Sequence, residues 1–417
     1  MSSRTHSRWT DGSMQKRVQR RYASERNFRL LGLAAVGVSV LFLAFLLITM
    51  ASKGLSGFTR YEAALPLDFA KSNLFLDPAT LRGPDAEQKV AAADLEGTIT
   101  AAAISAYGPG AAQLFGDGAV RTLTKEIARN PDLLSGKSTV WLPVGSAVDS
   151  AAKGQKDLKA QQLINALRSK QALRRSFNTT FLTASDSTDP SAVGVWGALK
   201  GSFLTVLVTI GLAFPVGVLA AVYLEEFATR NRWTDAIEVS INNLAAVPSI
   251  IFGLLGLALF LNVMNLPRSA PLVGGMTLAL MTMPVIVIAG RNAIKSVPPS
   301  IRDAALGIGA SKMQVTFHHV LPLALPGILT GTIIGVARAL GETAPLLMIG
   351  MRAFIAAPPG GIVDPATVLP VQIFLWSDEV DRSFVEKTSA AIIVLLLFML
   401  LMNGLAIYLR NRFERRW

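Results

Sequence analysis

The sequence contains no cysteine and only three histidines. Without cysteine the chain can form no disulfide bond, no Cys-ligated zinc site, no iron–sulfur cluster and no thiol-based catalytic centre. Charged residues are also scarce, at 16% of the chain, whereas soluble domains carry about 25%. Hydrophobic residues make up 51%, and the mean hydropathy is +0.44. These values indicate an integral membrane protein.

Complete nucleotide and metal motifs are missing as well. The segment 135–139 ends like a phosphate-binding loop, but the glycine that such a loop needs at its start is replaced by Pro131. His318 and His319 are adjacent, so they cannot form the i, i+4 pair of a zinc-binding helix. A Ser/His/Asp catalytic triad is not supported either, because all three histidines fall in segments predicted to be cytoplasmic. We therefore predict no catalytic residues, no metal and no cofactor in this chain, which is not expected to be an enzyme.

The N-terminal region combines a polar, basic stretch at 1–29 with an apolar run at 30–50. The run is long enough to cross a bilayer as a helix. A cleaved signal peptide has a shorter apolar run, of about 7–15 residues. We therefore predict an uncleaved transmembrane anchor at 30–50, preceded by a cytoplasmic N-terminus.

Residues 51–197 have the composition of a soluble domain, with charges of both signs and turn signals such as Gly108-Pro109-Gly110. Within this range the patterns predict three helices and two short strands. The helices are expected at 93–106, 120–128 and 156–177, and the strands at 65–69 and 139–144. We interpret 51–197 as a separate α+β domain.

The rest of the chain, 198–409, is dominated by apolar runs followed by a short tail at 410–417. The runs lie at 198–223, 244–266, 272–290, 321–351 and 390–409. With the anchor they predict an all-α polytopic membrane protein of about six transmembrane helices, whose two termini share one side.

The charge distribution predicts the orientation of these helices. The segments on the side of the termini carry 18 Lys and Arg against 8 Asp and Glu. The positive-inside rule then makes both termini cytoplasmic and 51–197 periplasmic, across a bacterial inner membrane. Orientation thus accounts for most of the net charge of +12, so nucleic acid is not an expected partner. It also accounts for Arg291 and Lys295, at the end of one apolar run.

The cytoplasmic loop 296–322 is the most informative stretch of the sequence. Pro298 and Pro299 predict a helix start, and apolar residues then recur at helical spacing. This helix is expected to break at Gly307 and Gly309, before a second helical stretch that ends at Leu321-Pro322. A surface of small residues would let another protein approach closely; it consists of Ala304, Ala305, Gly309 and Ala310. We interpret the first helix as a docking helix.

This loop resembles the EAA loop of the membrane-spanning subunits of ABC importers. The matching residues are Asp303, Ala304, Ala305, Gly309, Leu321 and Pro322. Asp303 replaces the usual Glu and keeps its charge, and His319 stands where Ile is usual. The resemblance implies a type I ABC importer permease fold, in which 296–322 forms the coupling loop that sits in a groove of a separate ATPase subunit.

A second constellation, Arg338 and Glu342, lies inside the fifth apolar run. Charged side chains at the centre of a membrane helix cost about 2.5–3.5 kcal/mol each, and they usually face a bundle interior or an aqueous cavity. At i, i+4 spacing the two side chains can pair. They could be a structural ion pair that locks the bundle. They could also line an anion path, in which Arg338 attracts the substrate and Glu342 weakens its binding.

The string from Ala337 to Leu346 resembles the phosphate-specific members of this permease family, particularly their A-type subunit, over 198–409. Some of those members carry an additional extracytoplasmic domain. The resemblance implies a substrate path at Arg338 and Glu342. The implied partners are a second permease subunit, an ATPase dimer that binds ATP and Mg, an extracytoplasmic phosphate-binding protein and membrane lipid.

Three alternatives remain open. The first is an ABC permease for another substrate, such as molybdate, sulfate or an organic solute. The second is an ion-coupled secondary transporter with a binding site at midplane charges. The third is a membrane-anchored sensor or enzyme built on 51–197, for which a single anchor would suffice.

Overall fold

The structure is a computed structural model that describes residues 12–69, 74, 76, 78–83 and 85–413. Three strands are present in this part of the chain: β1 (Thr59–Asp68), β2 (Lys137–Pro143) and β3 (Leu173–Phe177). The α-helices outside the apolar C-terminal half are α1 (Gly12–Gly54), α2 (Ala86–Ala91), α3 (Leu95–Tyr107), α4 (Asp117–Arg129), α5 (Ser146–Ala152), α6 (Leu158–Ser169) and α7 (Thr179–Thr183). Those of the C-terminal half are α8 (Trp196–Val222), α9 (Arg232–Ala245), α10 (Ser249–Gly256), α11 (Pro271–Lys295), α12 (Pro299–Gly307), α13 (Lys312–Gln314), α14 (Leu321–Gly341), α15 (Ala344–Met348), α16 (Leu369–Ser377) and α17 (Ser383–Phe413).

Helix α1 contains the apolar run predicted at 30–50 and extends it at both ends. Its 43 residues make a helix about 65 Å long, whereas the hydrocarbon core of a bilayer is about 30 Å thick. The basic residues that precede the run therefore continue the same helix beyond the apolar part.

The region after α1 folds as an antiparallel sheet, in the order β2-β1-β3, covered by helices. In the central strand β1, Ala63, Leu65 and Leu67 alternate with less buried residues and point into the core. There they meet buried residues of the covering helices, including Ile99 of α3 and Leu123 of α4. This packing buries one face of the sheet against helices.

One predicted element of this region is wrong. The sequence pattern predicts a single helix over 156–177, but α6 ends at Ser169 and the chain then enters β3. The buried positions of α6 follow helical spacing as far as Leu167, and no apolar residue continues this face. Gln171 turns the chain with a φ of +50°. Strand pairing with β1, from Thr59↔Phe177 to Ala63↔Leu173, then replaces helical hydrogen bonds.

In the described ranges, five helical segments are long and apolar enough to cross a membrane. They are Met14–Phe58, Trp196–Phe227, Pro271–Lys295, Lys312–Gly341 and Ser383–Arg412. A sixth exists only if Arg232–Ala245 and Ser249–Val263, which meet at a bend of 102°, count as one broken span. The bounds predicted for the span at 244–266 therefore need correction, because the bend falls inside them and the apolar helical part after it is Ser249–Val263. Pro248 lies at the bend. It interrupts the helix because it lacks an N–H group and disfavours a helical conformation at Val247.

The predicted span 321–351 is also wrong in its bounds. Helix α14 ends at Gly341, Glu342 has an extended ψ of 118°, and α15 begins only at Ala344. Pro345 has no N–H to donate to the carbonyl of Gly341, so the helix cannot continue through this point without losing a hydrogen bond. At its other end the span begins earlier than predicted, at Lys312.

Helix α11 lies between α8 and α14, and small residues allow these helices to approach closely. A Cβ atom added to Gly331 of α14 would lie 2.0 Å from the Cβ of Ala289, and one added to Gly275 would lie 2.5 Å from the Cβ of Val208. Small residues at such positions are a common solution for helix packing in membranes.

Residues 55–195, called the sheet region, are held against α16 and α17 by ionic and aromatic contacts. Lys153 Nζ lies 2.7 Å from Asp149 Oδ2 and 2.6 Å from Glu386 Oε1 of α17, and it also donates to the Thr59 carbonyl. Trp376 of α16 donates its indole N–H to Asp186. The aromatic rings form a continuous row: Phe58, Phe181, Trp376 and Phe384.

Candidate functional site

The 296–322 loop forms a short helix whose outer side is open to solvent. Helix α12 begins at Pro299 and ends at Gly307, as the sequence pattern predicts. Asp303, Ala304 and Gly309 are exposed, so three of the six residues assigned to the coupling loop are available to a partner. Leu321 and Pro322 are half-buried at the start of α14.

Two predictions for this loop need correction. Ala305 is only 5% exposed, so it does not belong to the outer small-residue surface. It packs inward against a cluster that includes Val297 and Val315. The second helical stretch does not end at Leu321-Pro322, because it begins at Lys312 and continues through a π-helical segment into α14. The second half of the loop, from Lys312, is therefore part of the same continuous helical segment as a full membrane span.

The turn between α12 and α13 depends on a single backbone conformation. Gly309 has a φ of +90°, a region that residues with a side chain rarely adopt. After this turn, Ser311 and Gln314 form a capping box: Gln314 N–H donates to Ser311 Oγ, and Ser311 N–H donates to Gln314 Oε1. The cap fixes the start of α13, directly after the turn.

The inner side of α12 is held by an arginine that the sequence analysis did not single out. Arg302 donates from Nε and Nη2 to Glu226 Oε1, at 3.1 and 2.8 Å. It also donates to the carbonyls of Val297 and Ile294, at the C-terminal end of α11. Arg302 therefore joins α12 to two membrane helices, since Glu226 lies in the π-helical extension of α8.

A second set of ion pairs lies beside Arg302. Arg291 Nε donates to Glu225 Oε1 at 2.6 Å, and Arg291 Nη2 lies 2.8 Å from Glu238 Oε2 of α9. Lys295 Nζ lies 3.4 Å from Glu225 Oε1. Arg291 and Lys295 thus have specific partners in addition to any role in orientation. The signal in the sequence is the adjacent pair Glu225-Glu226 directly after an apolar run.

Arg338 and Glu342 lie near the opposite end of α14, about 24 Å along the helix axis from Pro322. Arg338 Nε donates to Glu342 Oε1 at 3.5 Å. The Arg338 side chain is 50% exposed and that of Glu342 21% exposed. The structure therefore brings the two predicted pathway residues together, on a side of α14 that the described residues leave open.

No group of three or more His, Asp or Glu side chains in the described part of the chain could hold a metal ion. Of the residues predicted to act in 296–322, Asp303, Ala304 and Gly309 lie on an exposed surface. The arrangement places this surface near one end of α14 and the Arg338–Glu342 pair near the other.

Five apolar helical segments long enough to cross a membrane, with an exposed helix between two of them, define the class: a multi-pass membrane protein. Comparison with known families agrees. Residues 213–417 match the family described as "Binding-protein-dependent transport system inner membrane component". Residues 15–162 match a domain of unknown function, DUF3333.

Similar proteins place the chain more closely. The probable ABC transporter permease protein YqgI of Bacillus subtilis is 31% identical over 206 residues, which are 46% of this chain and 69% of that protein. The chain therefore belongs to the family of ABC transporter permeases that work as inner membrane components of binding-protein-dependent transport systems.

Two further similarities are to another relative and to a solved structure. The phosphate transport system permease protein PstA 1 of Mycobacterium tuberculosis is 36% identical over 158 residues, which are 38% of this chain. The chain spans about half the length of this relative, at 51%. A solved structure of the inward-facing MetNI methionine ABC transporter is 19% identical, with a TM-score of 0.39, and covers 53% of this chain and 95% of that chain.

Proposed function

We propose that this chain is the permease subunit of an ATP-driven phosphate importer, in which it forms half of the translocation pathway. The observation that carries the proposal is the exposed helix α12 with Asp303 and Ala304, connected by the short Gly309 turn to the span Lys312–Gly341. An exposed helix that leads through one short turn into a span can pass a movement from a partner into the membrane.

The expected partner at α12 is a separate ATPase subunit, which would bind ATP and Mg. The bias of Lys and Arg supports an orientation with both termini and α12 in the cytoplasm and the sheet region on the outer side. A dimer of ATPase subunits, a second permease subunit and an extracytoplasmic binding protein would complete the importer.

The substrate is proposed from Arg338 and from the relatives. Arg338 carries a permanent positive charge, is half exposed and stands at the end of a membrane helix. Glu342 beside it would keep anion binding weak enough for release. Several relatives from different bacteria are named phosphate transport system permease proteins. We therefore infer inorganic phosphate as the transported anion.

Uptake of radiolabelled phosphate at limiting concentration tests this proposal. Cells that express the whole system would be compared with cells that lack this chain and with cells that carry Arg338→Ala. Arg268→Ala serves as the matched control, because it removes an exposed arginine from another loop. We expect uptake to be lost on deletion and to fall about tenfold or more with Arg338→Ala, since the charge meets the anion directly.

The amount of each variant in the membrane must be measured as well. Normal phosphate uptake after deletion, in cells without a redundant system, would assign the permease to another substrate such as molybdate or sulfate. Equal uptake by the Arg338→Ala and Arg268→Ala variants would remove Arg338 from the pathway.

A further inference from the structure

Helix α12 is connected to the preceding span, α11, by a short segment. Three residues, Ser296 to Pro298, separate the end of α11 from the start of α12. Ala305 is the one buried residue of α12, and Ile301 is partly buried against the same cluster. This apolar contact is small, because a buried CH₂-sized group is worth only about 0.8 kcal/mol. Polar side-chain contacts therefore add to the hold on α12.

Arg302 supplies these contacts. Two of its nitrogens donate to Glu226 Oε1, and two of its N–H groups donate to backbone carbonyls, one of Ile294 in the last turn of α11 and one of Val297 in the connection that follows. The side chains of Arg302 and Glu226 are 22% and 9% exposed. A pair so shielded from water is stronger than a surface ion pair, and the planar guanidinium fixes direction as well as distance.

The partners of Arg302 are themselves held in place. Glu225, next to Glu226, pairs with Arg291 of α11, and both side chains are 12% exposed. Arg291 reaches on to Glu238 of α9. We call Glu225, Glu226, Arg291 and Arg302 the clasp. Through the clasp, a displacement of α12 acts on α8 and α11 together and not only on the helix that precedes it in sequence.

We propose that Arg302 and Glu226 form the mechanical link that transmits movement of α12 to the spans α8 and α11. The proposal rests on the proposed function, because it assumes that an ATPase subunit moves α12. Arg302 is a positioning residue in this mechanism: Asp303 and Ala304 face the partner, whereas Arg302 faces the bundle and acts through Glu226. Loss of the link should leave ATPase binding intact while transport no longer follows hydrolysis.

The test uses the complete importer, reconstituted in vesicles with its ATPase and binding-protein subunits. Two quantities are measured: radiolabelled phosphate taken up per ATP hydrolysed, and the amount of ATPase subunit that co-purifies. We expect Arg302→Ala to lower uptake per ATP about fivefold or more, at unchanged co-purification. Arg302→Lys should be intermediate, because an ammonium group cannot reproduce the planar fork.

Three further variants separate transmission from a general loss of structure. The exchange of both charges, Glu226→Arg with Arg302→Glu, should restore part of the uptake per ATP that either single change removes, because the ion pair returns but a carboxylate cannot donate to the carbonyls of Ile294 and Val297. Arg230→Ala, which removes an exposed arginine from the neighbouring loop, should leave the ratio unchanged. If Arg302→Ala does not reach the membrane, Glu226→Gln decides, since it keeps the side-chain volume, and we expect at least about a twofold lower ratio.

The outcomes are distinguishable. A working wild-type importer whose uptake per ATP is unchanged by Arg302→Ala or Glu226→Gln overturns the link alone. An exchanged pair whose ratio is no higher than that of the single variants also overturns it. A wild-type complex that neither retains the ATPase subunit nor transports phosphate overturns the proposed function, and the link with it.

Discussion

Gly309 is the residue on which the shape of the 296–322 loop depends most. Its φ of +90° needs glycine, whereas a Cβ added there would meet no atom within 4 Å. The requirement is therefore one of backbone conformation and not of space. Gly307, two residues earlier, also has an unobstructed Cβ position but lies within α12 at an ordinary helical φ.

This pair gives a matched prediction. Gly309→Ala should strain the turn by about 1–2 kcal/mol and lower phosphate uptake, because α12 and α13 lose their relative orientation. Gly307→Ala should stabilise the helix by about 0.5–1 kcal/mol and leave uptake unchanged. Thermal unfolding of the purified chain and uptake in cells check both values. Equal effects of the two substitutions would contradict a role for the Gly309 turn.

At the scale of the element, α12 has two faces with different tasks. Ala304 and Ala305 are neighbours in sequence, but Ala304 is exposed and Ala305 is packed into the cluster beneath the helix. In a helix, adjacent residues point about 100° apart, so a boundary between partner surface and core can fall between them. The small-residue pattern predicted from the sequence did not distinguish these faces.

Ala304→Trp and Ala305→Trp should therefore fail in different ways. Ala304→Trp should leave the thermal midpoint unchanged and abolish co-purification of the ATPase subunit, because the bulky ring blocks close approach. Ala305→Trp should overpack the cluster and lower stability by about 1–3 kcal/mol. Normal retention of the ATPase subunit by the Ala304→Trp protein would argue against α12 as the docking helix.

At the scale of the whole molecule, charged groups tie the sheet region together and to α17. In β1, burial would raise the pKa of Glu62, but hydrogen bonds from Arg174 and the charge of Arg60 hold that pKa below its usual value. Glu62 is therefore ionised at neutral pH. Lys153 in turn joins Asp149 of α5 to Glu386 of α17, with all three side chains 10–12% exposed.

Lys153→Met tests how strongly this contact holds the two regions together. The substitution removes the cation that is hydrogen-bonded to two shielded carboxylates and leaves the buried Lys387 to compensate their charge in part. It should therefore cost up to about 3–5 kcal/mol and lower the thermal midpoint of the purified protein. Lys156→Met, a change at an exposed lysine three residues later, should have almost no effect. Addition of Glu386→Gln to Lys153→Met should recover part of the loss. If the two lysine variants melted alike, the Lys153 contact would not stabilise the interface.

The sequence by itself determined the membrane class and most of the apolar runs, and it predicted a docking loop and two groups of site residues. Hydropathy and short motifs are local properties, so they can be recognised in one stretch of chain without knowledge of its neighbours. The family assignment made from the loop at 303–322 is confirmed by the family match and by relatives. The roles of Arg338, Glu342 and the loop residues stay predictions.

Only the tertiary structure decided which residues meet across the chain. Arg302 and Glu226 are 76 positions apart, and Lys153 and Glu386 are 233 apart, so no local pattern could pair them. The same holds for β3. Its sequence is compatible with the end of a helix, and it forms a strand because it pairs with one edge of β1. The bend at Pro248 and the break at Glu342 both lie within apolar runs. Hydropathy did not predict the geometry there, because it reports the solvent that a segment prefers and not the direction in which the chain runs.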